Sequence, residues 1–374
     1  MDRERITERL DSATDDSDEL FEHFERRYVG GNAHYVLTDA RHGLERGTVV
    51  VEDEGIVRGY PSIPRVLVAE TGIPEFFEPD DSVVVEEKLN GFNVRVAAPG
   101  EVLAFTRSGY VCPYTTARVG DLLDLDQFFT DHPGKMLCAE LIGPETPYTD
   151  HDYEGISSDA VRVFDIRDRE SGDPLPVADR DDLCDRYDLP QPRQFGRSDP
   201  DRAVETVRDA IQDLDDAGRE GVVMKSADGT ALVKYTTEAQ HHADLAHAFS
   251  VPFEYGRDFL FSRVIRDGFQ AVEFEEAPDR VRERAHDLGE SILFPFVEAI
   301  RRVERGDPVG EIHTVRAEPA VVEQLLAHLR DQGLTMEILH DQHEDGQRVV
   351  EFVKVAQSTR DQIDHYLSGG TRDE

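Results

Sequence analysis

Lysine is nearly missing from this chain. Of 41 basic residues in 374, only Lys88, Lys135, Lys225, Lys234 and Lys354 are lysines, which leaves 36 arginines. An arginine guanidinium stays protonated and cannot act as a covalent amine nucleophile, whereas a lysine can once its pKa is depressed. Very few positions are therefore open to that chemistry. Cysteine is also scarce: Cys112, Cys138 and Cys184 lie far apart, are odd in number and form no CxxC pair. That pattern speaks against a disulfide framework and a zinc knuckle. No apolar stretch reaches membrane length, and the opening Met1-Asp2-Arg3-Glu4 carries no apolar signal region. A soluble, cytoplasmic protein without a membrane partner is expected.

Acid, by contrast, is abundant. Subtracting 79 acidic from 41 basic residues gives a net charge of −38. Such a balance ordinarily argues against a polyanion partner. Here the acid is spread along the whole chain, and 39% of residues are apolar with clear periodicity, so disorder is not indicated. An acidic, well-hydrated surface suits the high salt of a halophilic cytoplasm. At about 1 M salt the Debye length falls to roughly 3 Å, so local basic sites decide binding and a nucleic-acid substrate is not excluded.

The length predicts several domains. Residues 1–60 read as a small module with a charged helix around Glu19–Arg27. Residues 61–237 are strand-rich, with period-two alternation over Ser82–Glu87, Phe92–Ala97, Val102–Thr106, Met136–Ile142, Val161–Ile166, Gly221–Ser226 and Ala231–Tyr235. One amphipathic helix interrupts them, carrying Ala203, Val207, Ile211 and Leu214 on one face, with Ser198 as its expected N-cap and Gly218 past its end. Residues 238–306 turn wholly helical, a segment suited to self-association. Residues 307–374 read β-α-β-β-α, with helices near Pro319–Gln332 and Gln357–Leu367.

Lys88 sits in Glu86-Glu87-Lys88-Leu89-Asn90-Gly91-Phe92-Asn93, where Gly91 allows a turn and the close approach of a substrate. On its own this would be a hairpin with an exposed lysine. Further segments follow in order. Thr106-Arg107-Ser108-Gly109 offers an arginine for phosphate or ribose. In Leu137-Cys138-Ala139-Glu140-Leu141, Glu140 interrupts an apolar strand and needs a partner. In Val163-Phe164-Asp165-Ile166, Phe164 is placed to stack on a base. Finally, Gly221–Lys225 and Leu232–Tyr235 are joined through Asp228-Gly229. A turn there pairs 225 with 232 and 223 with 234, which puts Lys225 and Lys234 on one face. Two ammonium groups on one face call for an anion between them, and a nucleotide phosphate is the obvious one. The same parity puts Glu220 on the opposite face unless the strand begins irregularly.

The series Glu-x-Lys-x-x-Gly, Thr-Arg-x-Gly, Glu-Leu-x-Gly, Phe-Asp-Ile, Glu-Gly-Val-Val-x-Lys and Val-Lys-Tyr resembles motifs I, Ia, III, IIIa, IV and V of the covalent nucleotidyltransferases. Lys-Leu-Asn-Gly-Phe-Asn-Val-Arg, Ser-Gly-Tyr-Val-Cys-Pro-Tyr-Thr-Thr and Gly-Pro-Glu-Thr-Pro-Tyr resemble the archaeal ATP-dependent RNA ligase family in particular. The resemblance spans essentially the whole chain. It implies an α+β fold with a mostly antiparallel nucleotidyltransferase core (61–237), a small N-terminal module (1–60), a helical dimerisation domain (238–306) and a small C-terminal domain (307–374).

It also implies chemistry. Lys88 would take AMP from ATP and pass it to an RNA 5′-phosphate, after which an RNA 3′-hydroxyl would seal the strand. Glu86 would help seat adenine, Asn93 and Arg107 would contact ribose or phosphate, Glu140 the ribose and Phe164 the base. Lys225 and Lys234 would hold the α-phosphate, Glu220 would assist Mg²⁺ or Mn²⁺, and the partners would be RNA, ATP and a second copy of the chain. Rival readings are a DNA ligase or capping-type transferase, and a non-catalytic RNA- or nucleotide-binding protein. Two positions depart from the wider superfamily: Asn90 stands where Asp is usual, and Asn93 where Arg is usual, the nearby arginine being Arg95. Arg65 reads as part of a linker, and His241, His242 and His247 as surface histidines.

Overall fold

In the computed structural model, residues 2–371 are described apart from 30–31, 52–54 and 150. An N-terminal antiparallel meander runs β1 (Phe24–Val29), β2 (Asn32–Leu37), β3 (Val49–Val51) and β4 (Gly55–Val57). The helix expected around Glu19–Arg27 is confined to Ser17–Phe21. Phe24 onward is β1, in register with β2 from Phe24↔Leu37 to Val29↔Asn32. Phe24 is buried while Glu25, Arg26 and Tyr28 are exposed, so the strand meets the core only at its start, and pairing with β2 outweighs the charged residues' helical preference.

The next eight strands are β5 (Val83–Lys88), β6 (Phe92–Ala97), β7 (Leu103–Thr106), β8 (Lys135–Ile142), β9 (Ala160–Asp168), β10 (Gln194–Ser198), β11 (Gly221–Ser226) and β12 (Leu232–Thr236). They form two antiparallel sheets, ordered β10-β5-β11-β12 and β7-β6-β8-β9. The chain passes from one sheet to the other between β5 and β6, so Lys88 ends one sheet and Phe92 begins the other. Gly91 serves this crossing. A Cβ there would lie 2.5 Å from the Leu141 carbonyl oxygen of β8, so the glycine permits a close approach of two backbones, and it also lines the cavity described below.

Alternation assigns each face. Val83, Val85, Val222, Met224, Val233 and Tyr235 pack against Ala203, Val207, Ile211 and Leu214 of the helix Pro200–Asp216. Each such apolar side chain contributes about 1.5–3 kcal/mol on burial. The intervening residues Glu86, Lys88, Val223, Lys225 and Lys234 are thereby turned the other way, toward the second sheet. That helix is capped by Asp199, whose side chain accepts from Arg202 N, and not by Ser198; Pro200 at its first turn requires the cap to stand directly before it.

The strand-rich segment holds more helices than its sequence suggests, including Pro113–Leu122 and Val177–Arg186. Their apolar positions are few (in Val177–Arg186, Val177 and Cys184 are buried), so tertiary packing rather than periodicity selects them. The helices Glu238–Ser250, Arg257–Glu273 and Pro278–Arg305 follow. The chain ends as β13 (Gly310–Ala317), a helix Pro319–Asp331, β14 (Met336–Glu344), β15 (Gln347–Val355) and a helix Gln357–Leu367. Among the described residues no helix is long and apolar enough to cross a membrane.

Arg95 fastens the N-terminal sheet to this core. Fully buried on β6, it donates to the carbonyls of Arg58, Gly47 (2.7 Å) and Thr106 (3.1 Å). Burial lowers its pKa to about 10. It is a structural cation and does not line the cavity described below. Arg95→Met takes the Arg95 donor from the Arg58 and Gly47 carbonyls, while Thr106 keeps Gly109 N at 2.8 Å, and a loss of about 3 kcal/mol in unfolding free energy is expected. Urea titration of both proteins at one salt concentration measures it.

Candidate active site

A cavity of about 450 Å³ opens between the two sheets. That volume lies within the range of small-ligand sites. Glu86, Lys88, Asn93, Arg107, Glu140, Phe164, Lys225 and Lys234, all singled out from the sequence, line it. Glu220 reaches it through Lys88, whose Nζ lies 2.6 Å from Glu220 Oε2.

Register explains the convergence. Lys225 pairs with Leu232 and Val223 with Lys234, as the hairpin spacing predicts. β11 also pairs with β5, placing Val223 opposite Glu86 and Gly221 opposite Lys88. Strict alternation would send Glu220 to the far face. Gly221 breaks it: its φ is +143°, and a Cβ there would lie 2.3 Å from the Tyr235 carbonyl oxygen. This glycine-only turn at the strand's start brings the Glu220 carboxylate onto the Lys88 side.

An anion does lie beside Lys225, and it is Glu86. The Glu86 carboxylate, 2% exposed, meets Lys225 Nζ at 2.7 Å and Arg180 Nη2 at 2.5 Å. Burial would raise this carboxyl, but Lys225 and Arg180 outweigh it and hold it below the usual range. Both cations also donate to the Phe164 carbonyl, Arg180 at 2.7 Å. Phe164 is the extra residue of a β-bulge, since Cys138 pairs with Asp165 and Ala139 with Val163. The bulge turns its ring out of strict alternation, edge-on to Tyr60 at 5.3 Å. Arg180 was not legible in the sequence, where it is one charged residue among many in an acidic helix.

Lys234 and Glu140 have no such saturating partners. Burial, helped by Arg65 and Lys88, brings the Lys234 amine down to about 8. Burial lifts the Glu140 carboxyl to about 7, opposed by Lys88 and reinforced by Glu220. Asn93 lies opposite Glu140 in the ladder, and its Oδ1 is buried without a hydrogen-bond partner, an acceptor facing a site that lacks its donor. Arg107 is exposed at the cavity's rim.

Three expectations change. Arg65 is no linker residue: Lys234 N donates to the Pro64 carbonyl at 3.0 Å and Val66 N to the Lys234 carbonyl at 3.1 Å, so residue 65 lies alongside β12. His241 is buried and His242 half-buried, held by the two oxygens of Asp267 at 2.7 and 2.8 Å. Their i, i+1 spacing reads as surface, but the helix Arg257–Glu273 covers them. Asn90 does not face the cavity. Its Nδ2 donates to Gln240 Oε1 at 2.8 Å, and Gln240 in turn donates to Asp244 at 2.7 Å. An Asp at position 90 would lack the donor this joint needs.

Glu86→Gln leaves Lys225 buried without a countercharge and Arg180 with Asp181 alone, at 2.6 Å, and about 3 kcal/mol of stability is expected to go. Because the folded pKa of Glu86 is depressed, its contribution is present above its unfolded value and fades as pH falls through the folded one. The gap between wild type and Glu86→Gln in urea unfolding should therefore be widest near pH 7 and narrow as the medium becomes acid enough to protonate Glu86 in the folded protein.

Residues 81–236 match the RNA ligase family model, and residues 247–370 match the C-terminal region model of the ligase Pab1020. The chain is similar to a solved archaeal ATP-dependent RNA ligase, at 39% identity over 100% of both chains, with a TM-score of 0.92. A structure described as a candidate ATP-dependent DNA ligase from Aquifex aeolicus is 26% identical over 94% of this chain and 97% of its own, with a TM-score of 0.87. An uncharacterized protein of Methanocaldococcus jannaschii is 38% identical over 340 residues, 87% of this chain and 85% of its own.

Proposed function

The chain belongs to the family of the archaeal ATP-dependent RNA ligases, and from that membership we propose that it joins or circularises RNA through Lys88. The observation that carries this reading is the convergence of Lys88, Lys225, Lys234, Glu140 and Phe164 on one nucleotide-sized cavity. Lys88 Nζ, as the free amine, attacks the α-phosphorus of ATP. The N–P bond forms, the bond to the bridging oxygen breaks and pyrophosphate leaves. Glu220, already touching Lys88 Nζ, is placed to receive the ammonium proton. A 5′-phosphate oxygen of RNA next attacks the lysyl-AMP phosphorus, and the amine departs and is reprotonated. An RNA 3′-hydroxyl then attacks the 5′-phosphorus and expels AMP.

Lys234, uncommitted and partly desolvated, holds the α-phosphate. Lys225 acts one step back, fixing Glu86 and the Phe164 carbonyl and with them the wall that takes the base. Glu140, Asn93 and Arg107 offer the acceptors and the donor that a ribose and a phosphate need. Among the described residues no three His, Cys, Asp or Glu side chains gather into a metal cage. The Glu220 carboxylate at the cavity would assist a bound Mg²⁺ or Mn²⁺. When bound, the cation would neutralise charge on the leaving pyrophosphate.

Incubation with α-labelled ATP and Mg²⁺ tests the reading. A covalently labelled band is expected that is acid-labile and absent in Lys88→Ala. Absence of label with any nucleotide would leave only the nucleotide- or RNA-binding reading. The Aquifex likeness favours one second reading, DNA sealing, and faster closure of a nicked DNA duplex than of 5′-phosphorylated RNA would establish it.

The helical segment supports the homodimer that the sequence suggests. Phe261, Val272 and Phe294 on its helices are 54%, 78% and 62% exposed, an apolar surface that a second copy would cover. Sedimentation velocity should give a dimer for the wild type and a shift to monomer for a Phe261→Ser/Phe294→Ser double variant. A monomeric wild type rejects the assembly.

A further inference from the structure

We propose that Arg65, Arg263 and Arg266 form a subsite for the 5′-terminal phosphate of the RNA, on the seam between β12 and the helices Glu238–Ser250 and Arg257–Glu273. The inference rests on the RNA ligase reading and deepens it.

Arg65 and Arg266 meet at a narrow crevice beside Thr236 and His241. At about 10 Å³ it has room for about one water, which places a phosphate at its mouth and not inside it. The crevice shares no lining residue with the nucleotide cavity. The two are nevertheless adjacent, because residue 65 is bridged to Lys234 through the backbone. Arg65 donates to the neutral Thr236 hydroxyl, which also bonds His241 Nε2 at 2.8 Å. Arg263 is braced by Asp244 at 2.8 Å and lies 3.4 Å from the Phe259 ring centroid. Through Asp244, Gln240 and Asn90 that brace runs back to within two residues of Lys88.

Arg266 is the telling member. It is half-buried, and among the described residues it makes no hydrogen bond and no ion pair. In a chain with 79 acidic residues this is not for want of carboxylates. Its neighbour Asp267 is turned away and spent on His241 and His242. Burial and the charges of Arg65 and Arg263 lower its pKa to about 10, opposed by Asp244 and Glu220. Three guanidinium groups facing two carboxylates leave a local excess of positive charge. A partly desolvated guanidinium without a partner is costly, and a phosphate monoester supplies the missing anion with matching fork geometry. The cleft lies outside the cavity that takes ATP, so the phosphate it suits best is that of the second substrate.

Wild-type and Arg266→Gln enzymes are first charged with ATP and the lysyl-AMP yield measured. Fluorescence polarisation then compares a short 5′-phosphorylated RNA with the same sequence bearing a 5′-hydroxyl, on the charged enzymes. Arg266→Gln is expected to bind the phosphorylated RNA about tenfold or more weakly than wild type, as loss of one charge-assisted contact implies. Its affinity for the hydroxyl RNA should match wild type. Arg266→Lys, which keeps the charge but not the fork, should fall between. An equal loss for both RNAs overturns the proposal in favour of the internal backbone. Poor charging of Arg266→Gln overturns it in favour of the triphosphate of ATP. Failure of the wild type itself to charge on Lys88 sinks the ligase reading, and is seen before any RNA is added.

Discussion

The buried Glu86 carboxylate is the interaction around which the site is arranged. It sits on β5 and binds Lys225 on β11 and Arg180 on the helix Val177–Arg186, while both cations also bind the Phe164 carbonyl on β9. One carboxylate thus joins both sheets and a helix at the back of the cavity. At about 2.7 Å and an effective dielectric constant near 20, each pairing is worth roughly 6 kcal/mol of Coulomb energy. Desolvating three ions offsets most of that, so the net stabilisation is small. What the cluster supplies is geometry, because no member can move without stranding a buried charge.

That rigidity separates two kinds of lysine. Lys225 lines the cavity but is neutralised by Glu86. Lys88 and Lys234 stay at the cavity's edge, Lys88 against Glu220 and Lys234 with its amine brought down to about 8. On the proposed reading, Lys88 exchanges Glu220 for a phosphate and Lys234, uncommitted, takes one directly.

The loop after Lys88 shows how the helical segment is coupled to the reaction centre. Asn90 gives its amide to Gln240, Gln240 gives its own to Asp244, and Asp244 braces Arg263. An amide at position 90 is the group that can donate to Gln240 Oε1. The Asn90 side chain is therefore a joint between the strand-rich and helical segments.

Much was legible in the residues themselves. The period-two strands, the hairpin register that unites Lys225 with Lys234, and the β-α-β-β-α end follow from local pattern, because strand pairing with a short turn has one sensible register. The motif residues found their cavity for the same reason. Tertiary structure decided the rest. Arg180 as partner of Glu86, the Phe164 bulge, the burial of His241 and the role of Arg65 depend on contacts between segments distant in sequence or on a covering helix, which no local period encodes. Glu220 stands between the two cases: Gly221 is visible in the sequence, but only its φ of +143° brings that carboxylate to Lys88. Alternation assigns a face to every strand residue until a glycine or a bulge interrupts it, and in this protein both interruptions occur at the site.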